Sequence, residues 1–83
     1  MIITDSLSPE QCKAARALLR LHQTDLCGLA DITIKTLSDF EGGKTKPYAS
    51  TIDKIKDALE GAGVEFINAD NGGPGARLRE AGE

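Results

Sequence analysis

Few residues in this chain could carry covalent chemistry. There is a single histidine, His22, and nothing at hydrogen-bonding sequence distance pairs with it as a base or nucleophile. Cys12 and Cys27 form no C-x-x-C pair and have no histidine cluster beside them. They read as two small apolar side chains rather than a metal or redox centre. The run Asn71-Gly72-Gly73-Pro74-Gly75 lacks the Lys-Ser or Lys-Thr that a phosphate-cradling loop needs, so it reads as a hairpin turn. No enzyme, no metal and no cofactor is expected.

The second kind of chemistry is recognition. Gln23 and Thr24 stand together, and Thr33, Ile34, Lys35, Thr36 and Ser38 follow within one short helical stretch. Lys44 and Lys46 flank a turn beyond it. Hydroxyls, amides and ammonium groups at such spacing suit phosphates and base edges, and Ile34 suits a thymine methyl. Direct base readout relies most on Arg, Gln or Asn, and between Thr33 and Phe40 there is none. From His22 to Pro47 the acids are Asp25, Asp31, Asp39 and Glu41, against Lys35, Lys44 and Lys46. That window is slightly negative, where DNA-binding surfaces are usually positive.

The elements that must position these residues follow from local signals. Ser8-Pro9-Glu10-Gln11 opens a first helix with a capping box and proline at its first position. Cys12, Ala15, Leu18 and Leu19 form its apolar face to about Arg20, beside a solvated basic stripe of Lys13, Arg16 and Arg20. A second helix runs from Gln23 to about Leu29, burying Leu26, Leu29 and Ala30. Thr33 caps a third, with Leu37 and Phe40 inward and Gly42-Gly43 at its end. Ser50 to Asp53 reads as a second capping box for a fourth helix, on which Ile52, Ile55, Ala58 and Leu59 recur to about Glu60. Val64 to Ile67 alternates as a strand, and Ala76 to Arg79 returns as its hairpin partner. Leu26, Ile32, Leu37, Phe40, Ile55 and Leu59 are expected in the core.

The chain has 83 residues, 40% of them apolar and 28% charged, with a net charge of −3. That suffices for one small soluble domain. No run is long enough for a membrane span, and MIITDSLSPE is not a secretory signal, so a cytoplasmic protein is expected.

The stretch "HQTDLCGLADITIKTLSDFEGGKTKP" resembles the XRE family of lambda-repressor-like helix-turn-helix regulators. Gln23 matches the glutamine that opens the second helix, Ala30 the small residue of the turn, and Ile32 the apolar residue that pins it. Thr36-Leu37 and Phe40-Glu41-Gly42 match the core and end of the recognition helix. The tail "ALEGAGVEFINADNGGPGARLR" looks like that of short bacterial members. The resemblance spans about Leu7 to Arg79. It departs at His22, Asp31 and Ile34, where the family often has a hydroxyl cap, a glycine, and Arg or Gln.

The resemblance implies a mainly α, four- to five-helix domain over residues 8–61, an arm at 1–7, a β-hairpin at 62–79 and a frayed end at 80–83. It also implies a transcriptional regulator that binds double-stranded promoter DNA through its third helix, as a possible homodimer. A second expectation stands beside it. An antiactivator would keep the fold but bind and inhibit a transcription activator, such as a quorum-sensing protein of the LuxR type. The acidic total, the missing base readers and Ile34 favour that alternative.

Overall fold

The computed structural model describes residues 7–67 and 73–79, which form four helices and a two-stranded antiparallel hairpin. Residues 1–6 of the expected arm, the turn residues Asn71 and Gly72, and the end at 80–83 lie outside the described residues.

Helix α1 spans Pro9–Leu19. Ser8 Oγ accepts from the Gln11 N–H at 3.0 Å, and Gln11 Oε1 accepts from the Ser8 N–H at 3.1 Å, so the expected capping box is complete. The helix stops at Arg20, whose left-handed backbone (φ 59°) turns the chain. Helix α2, Gln23–Ala30, ends the same way at Asp31 (φ 59°). Aspartate tolerates that conformation better than most residues, and it lets a short connection suffice before α3. Helix α3, Ile34–Glu41, starts at Thr33, whose hydroxyl accepts from the Thr36 N–H at 3.1 Å.

Helix α4 spans Ala49–Gly61, and its N-cap lies two residues before the expected cap Ser50. Its N-cap is Tyr48, whose carbonyl accepts from the Thr51 and Ile52 N–H groups at 3.0 and 3.1 Å. Ser50 therefore sits inside the first turn rather than capping it. Pro47 keeps Lys46 out of the helical region, Tyr48 is itself extended (φ −60°, ψ 154°), and the helix begins at Ala49, a strong helix former.

Strands β1 (Val64–Ile67) and β2 (Gly75–Leu78) pair with Val64 opposite Leu78 and Phe66 opposite Ala76. The core gathers Leu7, Cys12, Ala15, Leu26, Ala30, Leu37, Phe40, Ile52, Ile55, Leu59 and Val64, with Ile32 partly buried against it. Leu18 and Leu29 do not join it and are 39% and 58% exposed. The inward stripe of α2 centres on Leu26, Ala30 and the half-buried Gln23, and Leu29 stands roughly 90° round from it at 3.6 residues per turn. Leu18 lies at the margin of the α1 stripe for the same reason.

Gln11 ties the hairpin to the helices. Its amide nitrogen donates to Ile67 O at 3.3 Å and Gly75 O at 3.1 Å, while its oxygen completes the cap of α1. Gln11→Ala is expected to cost about 1–3 kcal/mol, because two carbonyls and a helix-start amide lose partners. Hydrogen exchange is the check. The amides of Glu65 and Arg77 should exchange faster than in the parent chain, while α3 and α4 keep most of their protection.

Candidate nucleic-acid interface

The candidate surface is built on the seat of α3. Its inward stripe is Leu37, Phe40 and Glu41, at spacing i, i+3, i+4, and all three are buried. A carboxylate in such a stripe must find partners. Glu41 finds them on two other helices. Arg16 of α1 meets it bidentately, Nε to Oε2 and Nη2 to Oε1, both at 2.7 Å. Gln23 Nε2 of α2 donates to Oε1 at 2.9 Å, and the Cys12 thiol donates to Oε2 at 3.1 Å. Arg16 also donates through Nη1 to Leu21 O at 3.1 Å, fastening the link between α1 and α2.

Burial by itself would raise the Glu41 carboxyl. The hydrogen bonds from Arg16, Gln23 and Cys12 outweigh it and hold the group below the usual carboxylate range. Burial, and then the neighbouring carboxylate, push the Cys12 thiol far above its ordinary value, so it stays protonated and acts as a donor. Arg16, expected on a solvated stripe with Lys13 and Arg20, instead folds inward. Its position in the sequence carried the signal. Arg16 follows Cys12 by four and Ala15 by one, so it adjoins the apolar stripe of α1, as Glu41 adjoins Leu37 and Phe40 on α3.

With Glu41 withdrawn, the balance of the stretch from His22 to Pro47 changes: Asp25, Asp31 and Asp39 stand against Lys35, Lys44 and Lys46, three against three, because the fourth acid is buried and paired with Arg16. Asp39 is in turn engaged by Lys35, Nζ to Oδ2 at 3.0 Å along one helix face.

The expected recognition residues divide between the two sides. Thr33, Ile34, Lys35 and Ser38 are exposed on α3 and its cap, and Thr24 is exposed on α2. Thr36 is half-buried, and its hydroxyl accepts from Thr33 Oγ1 at 2.9 Å. Lys44 and Lys46 are exposed in the loop after α3. Gln23 is half-buried, with its amide turned inward to Glu41. His22, at the start of α2, is exposed, and its backbone N–H is held by Asp25 Oδ2 at 2.9 Å.

The fold adds a residue that spacing did not single out. Between α3 and the start of α4 lies an open groove of about 290 Å³, where Thr33, Lys35 and Thr36 face Thr45, Tyr48 and Thr51. Tyr48 is 85% exposed, an aromatic ring and hydroxyl beside the lysine loop. A lone tyrosine after Pro47 carries no sequence signal of its own.

No family model matches the chain, and the comparison with curated proteins gives no match either. Among the described residues, no helix is long and apolar enough to cross a membrane, and no group of three or more His, Cys, Asp or Glu side chains is placed to hold a metal.

Proposed function

We propose that the chain is a small helix-turn-helix regulator of transcription, of the XRE type, that binds double-stranded DNA through α3. The observation that carries this reading is the way α3 is mounted. Leu37, Phe40 and Glu41 hold it from beneath, while Thr33, Ile34, Lys35 and Ser38 stand outward along its first turns. A short helix presented by its N-terminal end is the geometry that enters a major groove. Lys44 and Lys46 beside it supply charge for flanking phosphates, and the buried Glu41 no longer opposes them.

The antiactivator reading has its own support. Ile34 is 47% exposed on the outward turn, Leu29 is exposed on α2, and Asp39 already engages Lys35. An apolar side chain among neutralised charges suits a protein surface, here that of a transcription activator.

Binding at about 50 mM salt, where backbone attraction is strongest, tests the first reading. The probes are the promoter region beside the chain's own gene and an unrelated duplex of equal length. Selective retention of the promoter is expected, with Lys35→Ala weakening it and flattening its salt dependence. Absence of binding to either duplex, with Ile34→Asp releasing an activator protein from the folded chain, would transfer the function to the second reading.

A further inference from the structure

The loop between α3 and α4 borders a second, larger groove, between the start of α1 and the start of α4, of about 700 Å³. Small-molecule sites run from roughly 300 to 1,000 Å³ and are mostly apolar with a few polar groups. The floor here is apolar. Leu7, Phe40 and Ile52 belong to the core and reach the groove with their outer edges, and Pro47 and Ala49 stand beside them. Two cations line it, Lys44 and Lys46, and among the described residues no acid does. In the groove beside α3, by contrast, Lys35 is tied to Asp39 at 3.0 Å. Among the described residues, neither Lys44 nor Lys46 has an ion-pair partner. The loop that carries them is fixed at its start. Gly43 takes a left-handed backbone (φ 75°), its N–H donates to Phe40 O at 3.0 Å, and the Lys44 N–H donates to Asp39 O at 2.9 Å. Lys44 therefore leaves a bonded turn next to Phe40, so the site is largely formed before anything binds.

We propose that this groove binds a small, free amphipathic carboxylic acid, its apolar body on the floor and its carboxylate at Lys44 and Lys46. Both halves of that chemistry are needed. An apolar body leaves water for Leu7, Phe40 and Ile52, which a small hydrated anion cannot cover. A single carboxylate relieves two neighbouring ammonium groups that otherwise repel each other, which a neutral apolar ligand cannot do. The site rests on no reading of α3. Its consequence rests on the DNA reading: an occupied groove engages Lys44 and Lys46, so they are withdrawn from flanking phosphates and the acid acts as an effector that lowers promoter affinity.

The test is a titration of the full chain without DNA, so its outcome is separate from that of the DNA reading. Octanoate is the probe, octanol keeps its body without the charge, and acetate keeps the charge without the body. Octanoate is expected to bind with a dissociation constant of about 1 mM or below, at least about tenfold tighter than either relative. Amide shifts in NMR spectra should concentrate at Gly43, Lys44, Thr45 and Ala49. Lys44→Gln with Lys46→Gln should weaken octanoate at least about tenfold. Lys13→Gln with Lys54→Gln, which removes the same charge from exposed positions outside the groove, should leave it unchanged. Ala49→Phe, which fills the groove from an exposed wall position, should abolish binding with helical circular dichroism retained. Octanol binding as tightly as octanoate, shifts gathered instead at the exposed Leu18, Leu29 or Leu78, equal losses in the two double-lysine variants, or no octanoate binding at all would each overturn the site.

Discussion

Glu41→Ala is expected to be among the most damaging single substitutions in this chain, costing about 3–5 kcal/mol of folding stability. The change leaves the Arg16 guanidinium largely buried with its main partner gone, and Gln23 and Cys12 lose their acceptor. Total stabilities of small domains run to only about 5–15 kcal/mol, so the urea midpoint should fall sharply. The loss measures an uncompensated buried charge rather than the worth of the ion pair. Replacing both partners together, Arg16→Met with Glu41→Leu, should recover most of it, because apolar side chains of similar volume often match a buried pair. A double-mutant cycle with little coupling would show that the carboxylate is not the tie between helices that the geometry describes.

The same network sets an acid limit. The Glu41 carboxyl is lowered in the folded chain, so its contribution is fully present above its unfolded pKa and lost as pH falls through the folded value. With ordinary glutamate near 4.3, the loss begins below about pH 5 and deepens under about pH 4. Glu41→Gln should be less stable at neutral pH and show a shallower acid slope.

The second large effect belongs to recognition. Reversing both loop charges, Lys44→Glu with Lys46→Glu, should lower promoter affinity by about two orders of magnitude at 50 mM salt and reduce the salt slope by about 2. Both side chains are exposed, so folding should change little. Filter binding or fluorescence anisotropy across a salt series reads both quantities. An unchanged slope would remove these lysines from any phosphate contact and with them the main electrostatic support for DNA binding.

Local order in this protein was written in the sequence. The Ser8–Gln11 box, the Thr33 cap, the glycines after α3 and the alternation of Val64 to Ile67 each act over a few residues, and each appears where it was expected. So does most of the core, because helical spacing of Leu26, Leu37, Phe40, Ile55 and Leu59 selects one face of each helix. Where local signals competed, the tertiary structure decided. Ser50 lost the cap of α4 to Tyr48, after which the backbone is already helical from Ala49. Leu18 and Leu29 stayed outside because a helix aims its stripe by the sum of its buried residues, not by each leucine.

Charge shows the division most clearly. A count along the chain treats Arg16 and Glu41 as solvated, on separate helices 25 positions apart. Only the packing of α1 against α3 brings them to 2.7 Å, buries Glu41 and draws Arg16 inward, and Gln23 of α2 turns to the same carboxylate. The sequence by itself determined which helices form and which faces they bury. The charge left for a partner between His22 and Pro47, three acids and three bases once Glu41 is paired, depended on pairing across elements, because burial of an ion is decided by distant neighbours that no local spacing records.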